Sequence, residues 1–174
     1  MASDEQELMN SCRFGNSSMV QRILSKNKNI DINWSDMNGW TCLYAACSIG
    51  KMEIVDLLLK DSSIDISKKT NSGNTPFIAA CMNGVSNIVH LMLNNPKFTE
   101  KEINDCNKYG GSGFFYACKY GHTAIVKMLI KDERVNVTTV TIDGETPLRG
   151  AIANEQVHII NELSNSLKFE VTRK

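Results

Sequence analysis

Apolar residues fall into short runs that recur at nearly constant spacing along the chain. Ile54, Val55, Leu57, Leu58 and Leu59 form one run, Ile88, Val89, Leu91, Met92 and Leu93 a second, and Ile125, Val126, Met128, Leu129 and Ile130 a third. Each run predicts the apolar side of a helix. A glycine precedes each run, at Gly50, Gly84 and Gly121, placed to end a shorter helix in the left-handed conformation. That shorter helix carries Leu43, Ala46 and Cys47 in one copy, Phe77, Ala80 and Cys81 in the next, and Phe114, Ala117 and Cys118 in the third. It begins at Thr41, Thr75 or Ser112, whose hydroxyl can accept from a free backbone N–H as an N-cap. Pro76 follows Thr75 at the first helical position, where a missing N–H costs nothing. A turn lies before each cap, marked by Asn38-Gly39, Gly73 or Gly110.

The spacing is 34 residues from Gly50 to Gly84 and 37 from Gly84 to Gly121. A period of this size predicts a repeat array in which each unit buries its apolar face on its neighbours. Weaker copies flank the clear ones. Leu8, Ser11, Cys12 and Gly15 match Leu43, Ala46, Cys47 and Gly50, and Gly144, Thr146, Pro147, Leu148 and Ala151 open a last copy. The units predicted are 1–35, 36–69, 70–106, 107–140 and 141–174. The end units are polar on the outside, through Asp4, Glu5, Gln6, Glu7, Gln21 and Arg22 at one end and Asn161, Glu162, Asn165 and Lys168 at the other. Such polar terminal units keep a finished array soluble, so a complete stack of five helix pairs is expected. The longer linker from Asn94 to Cys106, followed by Gly113 at a helix start, makes 94–113 the expected weak point.

The sequences Asn-Gly-Trp-Thr-Cys-Leu at 38–43, Asn-Ser-Gly-Asn-Thr-Pro-Phe at 71–77 and Ile-Asp-Gly-Glu-Thr-Pro-Leu at 142–148 carry a resemblance. Each leads to an Ala-rich turn of helix, with Gly121-His122 and the Ile-Val-x-Leu-Leu-like runs completing the pattern. The chain resembles the ankyrin repeat family over nearly its whole length. The resemblance implies an all-α ankyrin-repeat solenoid of about five helix-turn-helix units joined by short β-turn or hairpin loops. The departures are local. Cys42 and Gly113 stand at the proline position, and Tyr44, Ile78, Phe115 and Arg149 stand where the family has its turn-bracing histidine. Glu155 replaces the last helix-ending glycine.

Charge and chemistry narrow the function. The formal net charge is +0, which argues against a nucleic-acid binder held by phosphate contacts. No apolar run reaches the roughly 18–20 residues of a membrane span, and the acidic start lacks a secretory signal pattern. A soluble cytoplasmic chain is expected, with a nuclear location left open, and nothing in the pattern calls for more than a monomer. Four of the six cysteines, Cys12, Cys47, Cys81 and Cys118, share one repeat position. Equivalent positions on packed helices lie roughly 8–10 Å apart, too far for shared zinc ligands, so these read as small core fillers and no metal is expected. Cys42 and Cys106 read as more exposed, which leaves a redox or metal sensor as an alternative function. Gly110-Gly111-Ser112-Gly113 lacks the strand and the Lys of a phosphate loop and reads as a turn. His122 reads as structural. His90 and His158 share no unit or face with a nucleophile, so no catalytic residue and no cofactor are expected.

In the family that the chain resembles, turn tips and first helices line a groove that recognises partners. The resemblance therefore implies a protein-interaction module, acting as a scaffold, adaptor or inhibitor on a protein or peptide. Within that groove Met37, Trp40, Asn74, Met82, Lys108, Tyr109, Tyr116, Lys119 and Tyr120 are the candidate partner-binding residues. The aromatic members bury much area at low entropy cost. Trp40 and Tyr116 either face the groove or pack between neighbouring fingers.

Overall fold

The computed structural model describes residues 3–166. Lys168, expected on the polar outer side of the last helix, lies outside them. The first helices of the units are α1 (Asp4–Phe14), α3 (Cys42–Ser48), α5 (Pro76–Met82), α8 (Gly113–Lys119) and α10 (Pro147–Ala153). Their second helices are α2 (Ser17–Lys26), α4 (Met52–Leu59), α6 (Ser86–Leu93), α9 (Thr123–Lys131) and α11 (Val157–Asn165). One more helix, α7 (Glu100–Asn104), lies in the long linker. First helices pack on first helices and second on second, so the chain is a two-layer all-α stack.

Local chemistry builds each unit. Thr41 Oγ1 accepts from the Tyr44 N–H at 3.1 Å, and Thr75, Ser112 and Thr146 repeat this cap at 3.2 Å in their own units. At the far end of each first helix the chain turns through a left-handed residue. The residue after it donates back to the helix: Lys51 N–H to the Ala46 carbonyl at 2.9 Å, Val85 to Ala80 at 3.0 Å, His122 to Ala117 at 2.9 Å. Gln156 does the same to Ala151 at 2.9 Å, although the left-handed residue before it is Glu155, with φ 56°. The motif therefore survives the loss of its glycine, at the cost of placing a β-carbon in a conformation that disfavours one.

Burial follows the period. Ile23, Leu58, Met92, Leu129 and Leu163 stand in one column of second-helix positions, all buried, and the last four are fully enclosed. Cys12, Cys47, Cys81 and Cys118 form the matching first-helix column, each at 0 % exposure, as expected of small fillers between closely approaching helices.

The linker from 94 to 106 is an ordered element rather than a slack loop. Thr99 and Glu102 form a capping box at the start of α7, with the Glu102 carboxylate accepting from the Thr99 N–H at 3.0 Å. Phe98 and Ile103 are buried, at 1 % and 2 % exposure. Arg134 of the following unit donates to the Phe98 and Leu93 carbonyls, both at 2.9 Å, while Asp132 holds the guanidinium. Lys97 reaches back to the Leu59 and Asp61 carbonyls at 3.1 and 2.6 Å. This anchoring counts against the softness expected of the segment.

Two outcomes follow from these contacts. Phe98→Ala is expected to cost about 3–5 kcal/mol, the range for emptying a fully buried aromatic site, in a denaturant melt. A cost below about 1 kcal/mol would mean that the linker is loosely held. Glu155→Gly is expected to raise stability by up to about 1 kcal/mol, because it relieves the left-handed strain while giving back part of the gain as unfolded-chain entropy. Thermal unfolding of the single variant tests it.

Candidate functional site

The turn tips are joined to one another by backbone bonds. Asn71 N–H donates to the Asn38 carbonyl at 2.9 Å, Lys108 N–H to that of Ser72 at 3.2 Å, and Ile142 N–H to that of Tyr109 at 3.0 Å. Each finger is thus held to the next at the same two positions relative to its glycine. The Asn71 amide adds a bond to the Met37 carbonyl at 2.8 Å.

A buried polar hub fixes the middle fingers. Asn107, at 8 % exposure, accepts at Oδ1 from the Tyr109 and Gly111 N–H groups, both at 3.0 Å. Its Nδ2 donates to Asn74 Oδ1 at 2.8 Å and to the Tyr116 hydroxyl at 2.7 Å. Asn107 therefore ties two neighbouring tips to a first helix through one side chain. Gly111 is the residue that admits this arrangement. A β-carbon there would come within 2.5 Å of the Tyr116 ring. The Gly-rich run is thus explained by close approach of side chains: at Gly113 a β-carbon would meet Cys81 Sγ and the Phe77 ring at 3.0 Å.

The nine candidate residues divide by burial. Met37, Lys108, Tyr109 and Tyr120 project into solvent, with Met37 90 %, Tyr109 57 % and Tyr120 45 % exposed. Trp40, Asn74, Met82 and Lys119 are half-buried. Trp40 lies under the Arg13 guanidinium, 5.5 Å from the ring centre, and against Tyr44 at 4.9 Å between centroids. Arg13 also pairs with Asp36 at 2.6 Å. Desolvation pushes the Asp36 carboxyl upward, but the N–H groups of Trp40 and Asn38 and the Arg13 charge outweigh it and hold it below the usual aspartate value. Lys119 sits over the Phe115 ring at 5.5 Å and 3.4 Å from Glu145.

Tyr116 does not stand at an exposed first-helix position. It is 92 % enclosed by its relative exposure of 8 %, packed with Ile78, Phe115 and Met82, and its hydroxyl faces Asn107. Tyr120 stacks on it at 6.0 Å with the rings 15° apart, so the buried ring carries the exposed one. Met82, Tyr116, Tyr120 and His122 thus make one patch across the third and fourth units. His122 Nε2 lies 2.9 Å from the Met82 carbonyl, a structural bond between units. Met37 and Trp40 lie apart from this patch, on the second unit. Residues that the repeat pattern did not single out add apolar surface: Phe14, 83 % exposed at the end of α1, and Ile142, 71 % exposed at the tip bonded to Tyr109.

The cysteines require one correction. Cys42, expected to be exposed, is 2 % exposed, because it opens α3 against the first unit. Cys106 is half-buried, and burial and then the Asp105 charge push its thiol upward. Burial also pushes Cys47, Cys81 and Cys118 upward. Among the described residues no group of three or more His, Cys, Asp or Glu could hold a metal ion. No described helix is long and apolar enough to cross a membrane.

Residues 8–104 and 93–174 match the family model described as ankyrin repeats (3 copies). The chain belongs to the ankyrin-repeat family. No curated protein matches it. Ankyrin repeats generally serve as protein–protein interaction modules. In this ankyrin stack Tyr44, Ile78, Phe115 and Arg149 replace the family's histidine, and the Asn74–Asn107–Tyr116 hub braces the middle turns instead.

The ankyrin packing sets an order of thiol reactivity. At pH 8 an alkylating reagent should label Cys106 first and slowly, with the rate rising as the pH is raised, because a raised thiol gives little thiolate at neutral pH. Cys47, Cys81 and Cys118 should react only on unfolding, and Cys12 and Cys42 only when the first unit opens. Rapid labelling of Cys42 in the native chain would contradict its burial.

Proposed function

We propose that this ankyrin stack is a protein-interaction module whose partner, a protein or peptide, docks along the turn tips and the exposed ends of the first helices. The observation that carries the reading is the set of exposed apolar and aromatic side chains on an ordered frame. Met37 and Tyr109 stand out from tips that are bonded to each other and to the Asn107 hub, and Tyr120 stands at the end of α8, stacked on Tyr116. Large side chains on a preorganised surface give up little conformational freedom on binding, which is the property of interface anchors. Lys108 and the Lys119–Glu145 pair supply the polar margin. The module works by occupying a surface, as a scaffold, an adaptor or an inhibitor.

Tyr116 enters this reading as a support beneath Tyr120, and Trp40 as a half-buried residue whose exposed edge lies beside Arg13. The burial of Cys42 removes one of the two thiols on which a sensor function using exposed cysteines would rest.

The test compares captures by the wild-type chain and a Met37→Ala/Tyr109→Ala/Tyr120→Ala variant, read by mass spectrometry. All three side chains are exposed, so the variant should keep its fold, which circular dichroism checks. A protein retained by wild type and lost by the variant, with affinity falling about 100-fold or more, supports the tip surface as the binding site. Equal capture by both chains would move binding to the second-helix side or to the linker.

A further inference from the structure

Cys42 is the one first-helix start that carries a thiol. The equivalent positions hold Pro76, Gly113 and Pro147. By the repeat, this position stands opposite the cysteine column of the unit before it. The geometry is given directly at Gly113, where a β-carbon would lie 3.0 Å from Cys81 Sγ. A β-carbon and the far sulfur of a disulfide are also about 3 Å apart, as follows from an S–S bond of ~2.04 Å. One repeat earlier, the residues in these two places are Cys42 and Cys12. Both are buried, at 2 % and 0 % exposure. Their thiols interact: the Cys12 group is driven upward first by its hydrogen bond to the Cys42 side chain, then by burial.

We propose that Cys12 and Cys42 are a disulfide-forming pair that staples the N-terminal helix pair to the second unit when the chain meets a small-molecule disulfide oxidant such as oxidised glutathione. The pairing is selective because of the repeat. Cys81 faces Gly113, and at the places equivalent by the repeat to Cys42 the units after Cys47 and Cys118 carry Pro76 and Pro147, so none of these three is offered a second thiol there.

The chemistry has two exchange steps. One thiol loses its proton to water and attacks the oxidant's sulfur–sulfur bond, giving a mixed disulfide and one glutathione thiolate, which takes up a proton. The second thiol, deprotonated in turn, displaces the remaining glutathione and forms the Cys12–Cys42 bond. Two thiols are oxidised and one glutathione disulfide is reduced to two glutathione molecules. Enclosed sulfurs cannot meet the oxidant in the closed stack, so reaction follows opening of the terminal unit. Among the described residues that unit packs on the second unit alone, and a unit so held opens at lower cost than one packed on both sides. Reclosure brings the two sulfurs together and captures the closed form.

The experiment incubates the full chain with oxidised glutathione at pH 8, quenches it with alkylating reagent, and maps disulfides by mass spectrometry without reduction. The expected product is one linked peptide pair joining Cys12 to Cys42, with the thermal midpoint of the oxidised chain raised by several degrees and restored by dithiothreitol. Cys42→Pro is the control variant, since proline already occupies this place in two other units, and it should fold and give no such link. Cys81→Ser should link as wild type does. In strong denaturant the preference should vanish into mixed pairings. The proposal is overturned if the native chain yields only glutathione adducts or pairings that do not favour Cys12–Cys42. It is also overturned if the linked chain melts lower than the reduced one.

Discussion

A single backbone hydrogen bond, made once per unit, sets the geometry on which the rest of the stack depends. It runs from the residue after the left-handed turn back to the first helix, as from Lys51 to Ala46 and from His122 to Ala117. This bond fixes the angle between the two helices of a pair. Only with that angle held do Leu58, Met92 and Leu129 fall into one buried column, and only then do the fingers reach a common line. The price of keeping it is visible at Glu155, where the chain accepts a positive φ without glycine.

Above that frame, the fourth unit is built differently from the others. It places Phe114, Phe115 and Tyr116 in succession at the start of α8, and all three are buried. Glycines make the room: Gly111 under the Tyr116 ring, and Gly150 of the next unit 3.2 Å from the Phe115 ring as judged from a β-carbon placed there. The aromatic mass that cannot be fully enclosed continues outward as Tyr120, stacked on Tyr116. The exposed patch is therefore the outward continuation of a buried cluster of Ile78, Phe115 and Tyr116.

Much of the fold was legible in the residues because its determinants are local. A threonine before a short apolar helix, and a glycine after it, act within four or five residues of themselves. What was hidden depends on the neighbouring unit. Cys42 looks exposed in its own unit and is covered by the first. Tyr116 occupies a first-helix position that reads as exposed, yet its hydroxyl is claimed by Asn107 nine residues away and its ring by Ile78 of the preceding unit. The helix α7 is legible in Thr99 and Glu102, a capping pair that lies outside the repeat pattern. Asn107 carried no signal in the repeat pattern, since its role is set by four partners, in its own turn, on the preceding tip and on α8.

The bonds between finger tips have a mechanical consequence. On the side of the helices, neighbouring units meet through apolar columns, where the attraction has no preferred direction, and through cross-unit bonds such as those of Lys97 and Arg134. On the side of the fingers, each unit is tethered to the next by directional bonds of 2.9–3.2 Å, which weaken steeply when stretched or tilted. Neighbouring units are thus held by directional tethers along the row of tips and largely by close packing along the helical back. Force that splays the fingers apart must break these tethers, while force that parts the helices must open close-packed apolar surface.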